Sequence, residues 1–461
     1  MQVSFEALPL LLGGMSALQL AWLALIWGTK TTSQRRKLPG LFVYSLLVSL
    51  LVVFVPASVW LRGATLLSRI AENQTAVGLG LSLLTLGAGL IYARVQRIWP
   101  FDEEYNFLAA QLAALHGVRH FFKEYPKNPW LGEQHPPLVP LAGSLLMRIF
   151  SVRLFSFRLL SILLAAATIW MTHRLGVLLF GAEAGLLSAL FLFSFPLFLR
   201  MAGAAMLEMP VTFFTIAFLL QGIAFQQNPG PWIAIGMGVT AGLGLLSKYS
   251  SGSVLLVFLL QLLFEKRLDT LWPYLLLTVG VAAVFLAGWI VLVRRLGLFA
   301  RQSALLKNYL GAVEIENPQQ QRRWGLLGAW RIRFRLEVLL TRLPSAIGLY
   351  SLIPVALGIV WLAMDRGPAA RFLLAWIIPI AGVLIVILPD HRYFLQIFPA
   401  LALAAAGWLA AIPGLETAVL VLALGLWPAT LVLFVDWLRG RHVFLQHLDR
   451  RVPEPNIAIR I

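Results

Sequence analysis

Apolar residues occur in long stretches along this sequence, separated by short polar turns and by turns that contain glycine or proline. A helix needs about 20 apolar residues to cross a bilayer core, because a spanning backbone must satisfy its own hydrogen bonds. The pattern therefore predicts an all-α polytopic membrane protein with about 13 transmembrane helices, several of them short. The predicted spans are 8–27, 41–60, 76–92, 157–175, 184–199, 211–225, 232–246, 253–264, 271–293, 346–364, 372–388, 394–412 and 417–435.

Two stretches, 93–156 and 294–345, are too long and too polar to be simple connections, and loops of this length usually carry function. Six predicted spans lie between them. Because this number is even, both loops must emerge on the same side of the membrane. The same count places the turns that contain Glu208, Lys248 and residues 389–392 on that side, so most of the candidate chemistry shares one face.

The spans and loops divide the chain into three parts. Residues 1–75 hold the first two spans, residues 76–435 form the main helical module with both long loops, and residues 436–461 form a basic tail. The first span follows no basic leader and no convincing cleavage site. We therefore interpret it as a membrane anchor rather than a cleaved signal peptide.

Each long loop also carries an amphipathic segment. In the first loop, Leu108, Leu112 and Leu115 recur at helical spacing, and Gly117 is expected to end the helix. In the second loop, residues 327–342 place apolar and basic positions on different sides of a helix. Both segments are typical of helices that lie along the membrane interface, and the simplest role of the second is to hold anionic headgroups.

The amino-acid composition further narrows the classes of protein to which this chain can belong. Hydrophobic residues make up 59% of the 461 residues and charged residues only 12%, against about 45–50% and 25% in soluble globular proteins. A soluble enzyme, a collagen and a disordered chain are excluded. The chain has no cysteine, which excludes disulfides, thiolate nucleophiles and cysteine-ligated metals. The net charge of +17 favours an anionic partner such as a phosphate-bearing lipid, and nucleic acid is not needed to explain it.

The distribution of basic residues bears on the side of the membrane to which the two long loops belong. The second long loop carries many arginines, and loops rich in Arg and Lys usually stay in the cytoplasm. That rule would place the chemically rich face inside. It weakens as loops lengthen, and arginines that hold a phosphate would have another use.

Three consecutive acids, Asp102, Glu103 and Glu104, precede Tyr105 directly after the third predicted span. One interpretation is structural, with Asp102 as a helix N-cap and the two glutamates favoured by the helix dipole. The other is catalytic. The two interpretations are compatible, and the residues alone do not decide between them.

Of four further candidate residues, three have simple explanations when each is considered alone. His135 could belong to a rigid re-entry loop, Lys248 could extend to the interface, and Arg392 could anchor the start of a span. Glu208 is different, because an acid between apolar residues is costly near hydrocarbon and usually has a function. The simple explanations become strained when the helix count collects all four residues on one face.

Five short motifs follow one another along the chain: Asp102-Glu103-Glu104-Tyr105, His135-Pro136-Pro137-Leu138, Glu208-Met209-Pro210, Leu246-Ser247-Lys248 and Arg392-Tyr393. Their order resembles that of the polyprenyl-phosphate-sugar-dependent glycosyltransferases of the GT-C fold, in particular the protein O-mannosyltransferase and lipid A aminoarabinose transferase type. The resemblance covers about residues 76–435. One position departs from the family pattern, because the basic residue before Pro-Pro is a histidine here instead of a lysine.

The resemblance implies a GT-C-like fold and an inverting transfer of a sugar from a polyprenyl-phosphate donor. The acceptor would be a hydroxyl or amine of a protein, lipid or glycan. Both long loops would then be extracytoplasmic, on a multi-pass protein of the plasma (inner) membrane. The resemblance also assigns roles to individual residues. These are catalysis for Asp102, Glu103 and Glu208, donor-phosphate binding for Lys248, Arg392 and His135, and acceptor or sugar contacts for Glu104, Tyr105 and Tyr393.

A metal is not required by this scheme, because Arg and Lys can neutralise a monophosphate leaving group, although the acids and His135 could hold a divalent cation. The competing class is a transporter or flippase for a phosphate-bearing lipid. Such proteins place ionisable residues near the bilayer midplane, often in paired broken helices. Here the acids cluster at helix ends and in loops, which favours an enzyme. A lipid-binding scaffold would leave the acids without a role.

Overall fold

The computed structural model describes residues 69, 72–96, 98–99, 102–127, 135–309, 338–365, 367–387 and 390–411. Every regular element within these ranges is helical. Among the described residues, six helices are long and apolar enough to cross a membrane, and a seventh span arises if one bent pair counts as a single crossing. The chain is thus an all-α, multi-pass integral membrane protein, as the hydropathy pattern predicts.

The first half of the fold runs from the third predicted span to the middle of the bundle. Helix α2 opens the first long loop, and a 3-10 turn, Tyr125–Lys127, follows it. The helices are α1 (Gln74–Val95), α2 (Asp102–Glu124), α3 (Leu138–Ile149), α4 (Leu154–Phe180), α5 (Ala182–Ser194), α6 (Pro196–Ala202), α7 (Glu208–Gln227) and α8 (Pro231–Ser247).

The second half begins with a 3-10 turn, Tyr249–Gly252, and later contains a π-helical turn, Val338–Arg342, and a 3-10 segment, His391–Ile397. The predicted spans 8–27, 41–60 and 417–435, and most of the amphipathic segment 327–342, lie outside the described residues. The helices of this half are α9 (Ser253–Phe264), α10 (Leu268–Arg295), α11 (Phe299–Tyr309), α12 (Leu343–Ile347), α13 (Leu349–Met364), α14 (Pro368–Ile387) and α15 (Phe398–Ala410).

One predicted span, 184–199, is not a straight helix. Helices α5 and α6 meet at an angle of 74°, because Pro196 has no N–H to continue the helical hydrogen bonds of α5. After α6 the chain passes directly over α1. At Gly203 a Cβ atom would lie 2.1 Å from Tyr92 Cδ1. The bend therefore brings the turn before α7 against the end of α1.

Small residues allow the membrane helices to approach closely. Because lipid tails are as apolar as the helix surfaces, helices in a membrane associate mainly through such close packing. A Cβ atom on Gly358 of α13 would lie 2.5 Å from the backbone of Ala404 in α15. On the other side of the bundle, Gly238 of α8 packs against Val281 of α10. The helices enclose a core of large aromatic side chains, among them Phe195, Phe198, Trp376 and Phe398.

Helix α2 extends beyond the end that its amphipathic pattern predicts. It kinks at Gly117, which has a φ of +86°, but helical structure resumes and continues to Glu124. The buried residues of α2 are Glu103, Asn106, Phe121 and three alanines. Leu115 is 57% exposed, and Leu108 and Leu112 are half-buried. The leucine side is therefore the more exposed one, and mainly small and polar residues make the internal contact.

Six helical passes connect the first loop to the second: α4, the bent pair α5 and α6, α7, α8, α9 and α10. At the end of the bundle far from α2, Glu265 pairs with Arg371 at 3.1 Å, and Arg267 donates to the carbonyl of Gln226. The residues at the other end are those that the helix count assigns to one face.

Candidate active site

Charged side chains collect at helix ends near the start of α2. Asp102 and Glu208 are the first residues of α2 and α7, and Lys248 directly follows α8. The positive end of a helix dipole favours acids and the negative end favours cations. Each of these three charges therefore lies at the end of its helix that stabilises it.

Arg392 links the first loop to the last described helices. Its Nη1 lies 2.7 Å from Asp102 Oδ2, across 290 positions of sequence. Its Nη2 and Nε lie 3.2 Å and 3.4 Å from Oδ2 of Asp390. Oδ1 of Asp390 accepts the backbone N–H of Arg392 and so caps the 3-10 segment. One guanidinium thus joins two carboxylates.

This arrangement keeps both carboxylates ionised. Burial raises the pKa of Asp102, but the guanidinium of Arg392, together with the ammonium group of Lys248, more than compensates and holds that pKa below its ordinary value. Burial also raises the pKa of Asp390, which Arg392 and His391 nevertheless hold well below the usual range. At neutral pH Asp102 is therefore a proton acceptor.

A second ion pair lies beside the first. Lys248 Nζ donates to Glu208 Oε1 at 3.0 Å and lies 3.6 Å from the centre of the Tyr393 ring. Oε2 of Glu208 is buried and accepts no hydrogen bond from the described part of the chain. An acceptor in this position is costly to leave unpaired and suits a hydroxyl or amine donor on a ligand.

His135 lies near the same charges. Burial and the charge of Lys248 lower its pKa to about 3, although Asp102 opposes the change. Its backbone carbonyl accepts a hydrogen bond from the hydroxyl of Tyr125, which fixes the loop before α3. The imidazole is therefore neutral at pH 7. If His135 contacts a phosphate, it does so as a hydrogen-bond donor and not as a cation.

Glu103 has a different environment from its neighbour Asp102. Its carboxylate is fully buried and forms a two-pronged pair with Arg158 of α4, at 2.7 Å and 2.8 Å. It also accepts the backbone N–H groups of Trp99 and Ala205, both at 2.8 Å. These four bonds join α2, α4 and the turn before α7. The geometry favours a positioning role for Glu103, which holds Asp102 in place.

Two arginines of the site were not among the predicted residues. Arg158 is 1% exposed and also donates to the carbonyls of Ala93 and Gln96. Arg200, 4% exposed, stacks with its guanidinium 3.9 Å from the centre of the Trp99 ring. Arg158 lies inside the predicted span 157–175, and Arg200 directly follows the predicted span 184–199. An arginine inside or beside an apolar stretch is the signal that could have identified them.

The remaining predicted residues, Glu104 and Tyr105, follow Glu103 on α2. Glu104 is half-buried, and its backbone N–H donates to the carbonyl of Trp99. Tyr105 packs against an apolar cluster that includes Phe121 and Trp289. The described residues contain no group of three or more side chains with metal-ligating potential. The structure thus brings together Asp102, His135, Glu208, Lys248, Arg392 and Tyr393.

The described part of the chain is a helical membrane bundle with acids and cations at one end of its helices. Residues 134–290 match the family model described as dolichyl-phosphate-mannose-protein mannosyltransferase. The structure is similar to that of ArnT from Cupriavidus metallidurans in the apo state, with a TM-score of 0.53 and 16% identity over 74% of this chain and 60% of ArnT. The predicted GT-C resemblance is confirmed at the level of the fold.

ArnT bound to undecaprenyl phosphate gives a TM-score of 0.50 and 17% identity, over 71% of this chain and 59% of that one. The archaeal oligosaccharyltransferase AglB from Archaeoglobus fulgidus, in complex with an inhibitory peptide and a dolichol-phosphate, gives a TM-score of 0.48 and 16% identity, over 78% and 56%. The match thus spans about 60% of the length of ArnT. No curated protein sequence matches this chain significantly.

Proposed function

We propose that this chain is an inverting glycosyltransferase that moves a sugar from a polyprenyl-phosphate donor to a hydroxyl or amine of a protein, lipid or glycan. The observation that carries the proposal is the contact between Asp102 and Arg392, with Lys248 beside it. In this contact a carboxylate lies next to cations at the ends of membrane helices. The family match over residues 134–290 and the fold shared with ArnT support this function.

The chemistry follows from these charges. The acceptor oxygen or nitrogen attacks the anomeric carbon, the bond from that carbon to the phosphate oxygen breaks, and the polyprenyl phosphate leaves. Asp102 takes the acceptor proton as general base. Lys248 and Arg392 stabilise the negative charge that develops on the leaving phosphate. A single displacement inverts the configuration of the sugar.

The other predicted residues have supporting roles in this scheme. Oε2 of Glu208 accepts a hydrogen bond from a hydroxyl or amine of the sugar or acceptor. His135 donates to the phosphate as a neutral imidazole, and Tyr393 holds Lys248 through its ring. Glu104 and Tyr105 border the acceptor side, and Glu103 fixes the start of α2.

The proposal is tested by Asp102→Asn in the full-length chain, reconstituted in proteoliposomes with radiolabelled polyprenyl-phosphate sugars, including dolichyl-phosphate mannose, and candidate acceptors. Sugar transfer should fall about 10²–10⁴-fold, because the base is lost while the shape is kept. The matched control is Asp269→Asn, the same change at the other end of the bundle, which should keep wild-type activity. Near wild-type transfer by Asp102→Asn would contradict the assignment. A transporter would instead move its lipid without consuming it.

We also propose that this face is extracytoplasmic, in the plasma (inner) membrane. The chain has no cysteine, so single cysteines can be labelled without background. Lys127→Cys, on an exposed side chain beyond α2, should react with an impermeant maleimide added outside intact cells. Asn228→Cys, at the end of α7 far from Glu208, should react only after permeabilisation. The reverse pattern would overturn this orientation.

A further inference from the structure

The cations assigned to the donor phosphate are already engaged. Arg392 pairs with Asp102 at 2.7 Å, and Lys248 pairs with Glu208 at 3.0 Å. These side chains are at most 20% exposed, so water screens the pairs only in part. A donor phosphate must therefore compete with carboxylates of the protein for the same N–H groups.

Arg392 is held in a way that permits an exchange of partners. Asp390 binds Nη2 and Nε on one side of the guanidinium and caps the backbone of the same residue. Asp102 binds through Nη1, on the other side. The bond to Asp102 can therefore break while Asp390 keeps the side chain in place.

We infer that donor binding switches Arg392 between two anions: Nη1 leaves Asp102 and binds a phosphate oxygen of the donor, while Asp390 holds the guanidinium. The inference rests on the proposed function. It makes Asp390 a positioning residue, which acts through Arg392. It also makes Asp102 both the base and the competitor that the donor displaces.

The exchange couples binding to chemistry. Before the donor binds, the oxygen of Asp102 nearest Arg392 is occupied by a strong donor and is a weak proton acceptor. After the exchange, that carboxylate loses its guanidinium partner and becomes more basic. The nearby charged groups are Glu103 and Glu104 on α2, Glu208 on α7, Lys248 after α8, and Asp390, and the neutral imidazole of His135 lies before α3. The base is therefore activated only when the donor is present, and the donor binds before the acceptor.

The test is a pair of substitutions whose effects should have opposite signs. The probe is undecaprenyl phosphate, titrated into the full-length chain in nanodiscs and followed by tryptophan fluorescence. Asp102→Asn removes the competitor and should tighten binding about tenfold, the worth of one charged hydrogen bond. Asp390→Asn should weaken binding by a similar factor, because Arg392 then stays with Asp102.

Simple electrostatics predicts a different result, since each substitution removes one negative charge and both should tighten binding. Asparagine at 390 can still accept the backbone N–H of Arg392, so the cap is kept. In the Asp102→Asn background, Asp390→Asn should reduce the affinity for undecaprenyl phosphate by a smaller factor than in the wild type. If Asp390→Asn only damaged the turn, it would reduce the affinity by the same factor in both backgrounds. Glu124→Gln, which removes an acid from a surface pair with Lys127, serves as the control and should leave affinity unchanged.

The outcomes separate the two proposals. If the wild type does not bind undecaprenyl phosphate or any other polyprenyl phosphate, the proposed donor is wrong. If the wild type binds but both single variants shift affinity in the same direction, the exchange is wrong and the proposed function stands. Arg392→Lys keeps the positive charge but lacks a guanidinium that can bind Asp390 on one side and a phosphate on the other. This variant should therefore bind undecaprenyl phosphate weakly. Wild-type affinity for this variant would also overturn the exchange.

Discussion

The ion pair between Glu103 and Arg158 gives the sharpest prediction on stability. Both side chains are at most 1% exposed. Removing one partner of a buried pair leaves a charge without compensation, at a cost of about 3–5 kcal/mol. Arg158→Met should therefore destabilise the protein by about that amount, since Glu103 would retain only the N–H groups of Trp99 and Ala205.

Glu103→Gln should also be costly, for a geometric reason. Each carboxylate oxygen accepts one bond from Arg158 and one from a backbone N–H. An amide NH₂ in either position would face two donors, and each unsatisfied group costs about 1–3 kcal/mol. In the double variant, Arg158→Met with Glu103→Gln, neither charge remains. The two costs should therefore not add, and the coupling energy should reach about 2–3 kcal/mol.

The measurement is unfolding in mixed micelles with increasing dodecyl sulfate, followed by circular dichroism, for the wild type, both single variants and the double variant. The control cycle is the surface pair of Glu124 and Lys127, whose side chains are 26% and 70% exposed. Its coupling should lie below about 1 kcal/mol. A coupling for the buried pair no larger than that of the control would refute the argument that these four bonds join the first loop to the bundle.

Two further predictions concern pH and packing. Folded His135 stays neutral down to a pKa of about 3, whereas an unfolded histidine protonates near pH 6.5, so stability should fall below pH 6.5 by at most about 1.4 kcal/mol per unit. His135→Asn should flatten this slope in melting curves between pH 7 and pH 5, and an unchanged slope would contradict a neutral buried imidazole. Gly358→Ala should destabilise the protein by about 1–3 kcal/mol, because its Cβ would meet the backbone of Ala404. Gly280→Ala, in open space, is the control and should be neutral or stabilising.

The sequence could predict that the site residues share one face of the membrane, because this depends only on the number of spans between them. Asp102, Glu208, Lys248 and Arg392 lie at helix ends, and an even number of spans brings those ends to one face. Hydropathy resolves helix number well, since each span must be long and apolar. The break in the predicted span 184–199 was also visible in the sequence, at Pro196.

The separate roles of Asp102 and Glu103 could not be read from the sequence. Successive residues on a helix point about 100° apart, so one acid can face the site while the next faces the core. Which of them does so depends on how α2 is rotated against α4. That rotation is fixed by Arg158, 55 positions from Glu103. The low pKa of His135 likewise results from burial by distant segments.

The pairing of charges in the site follows from its place at the ends of membrane helices. Water is scarce there, and an isolated charge would be expensive, so each cation that could bind a phosphate needs a carboxylate partner until the ligand arrives. Such a site gains affinity only through exchange, because the ligand must offer more than the carboxylate that it displaces. A phosphate brings more charge and more acceptor oxygens than one carboxylate, whereas a neutral sugar brings neither. Under the proposed exchange, the resting ion pairs would therefore select for the phosphate end of a donor before any contact to the sugar is made.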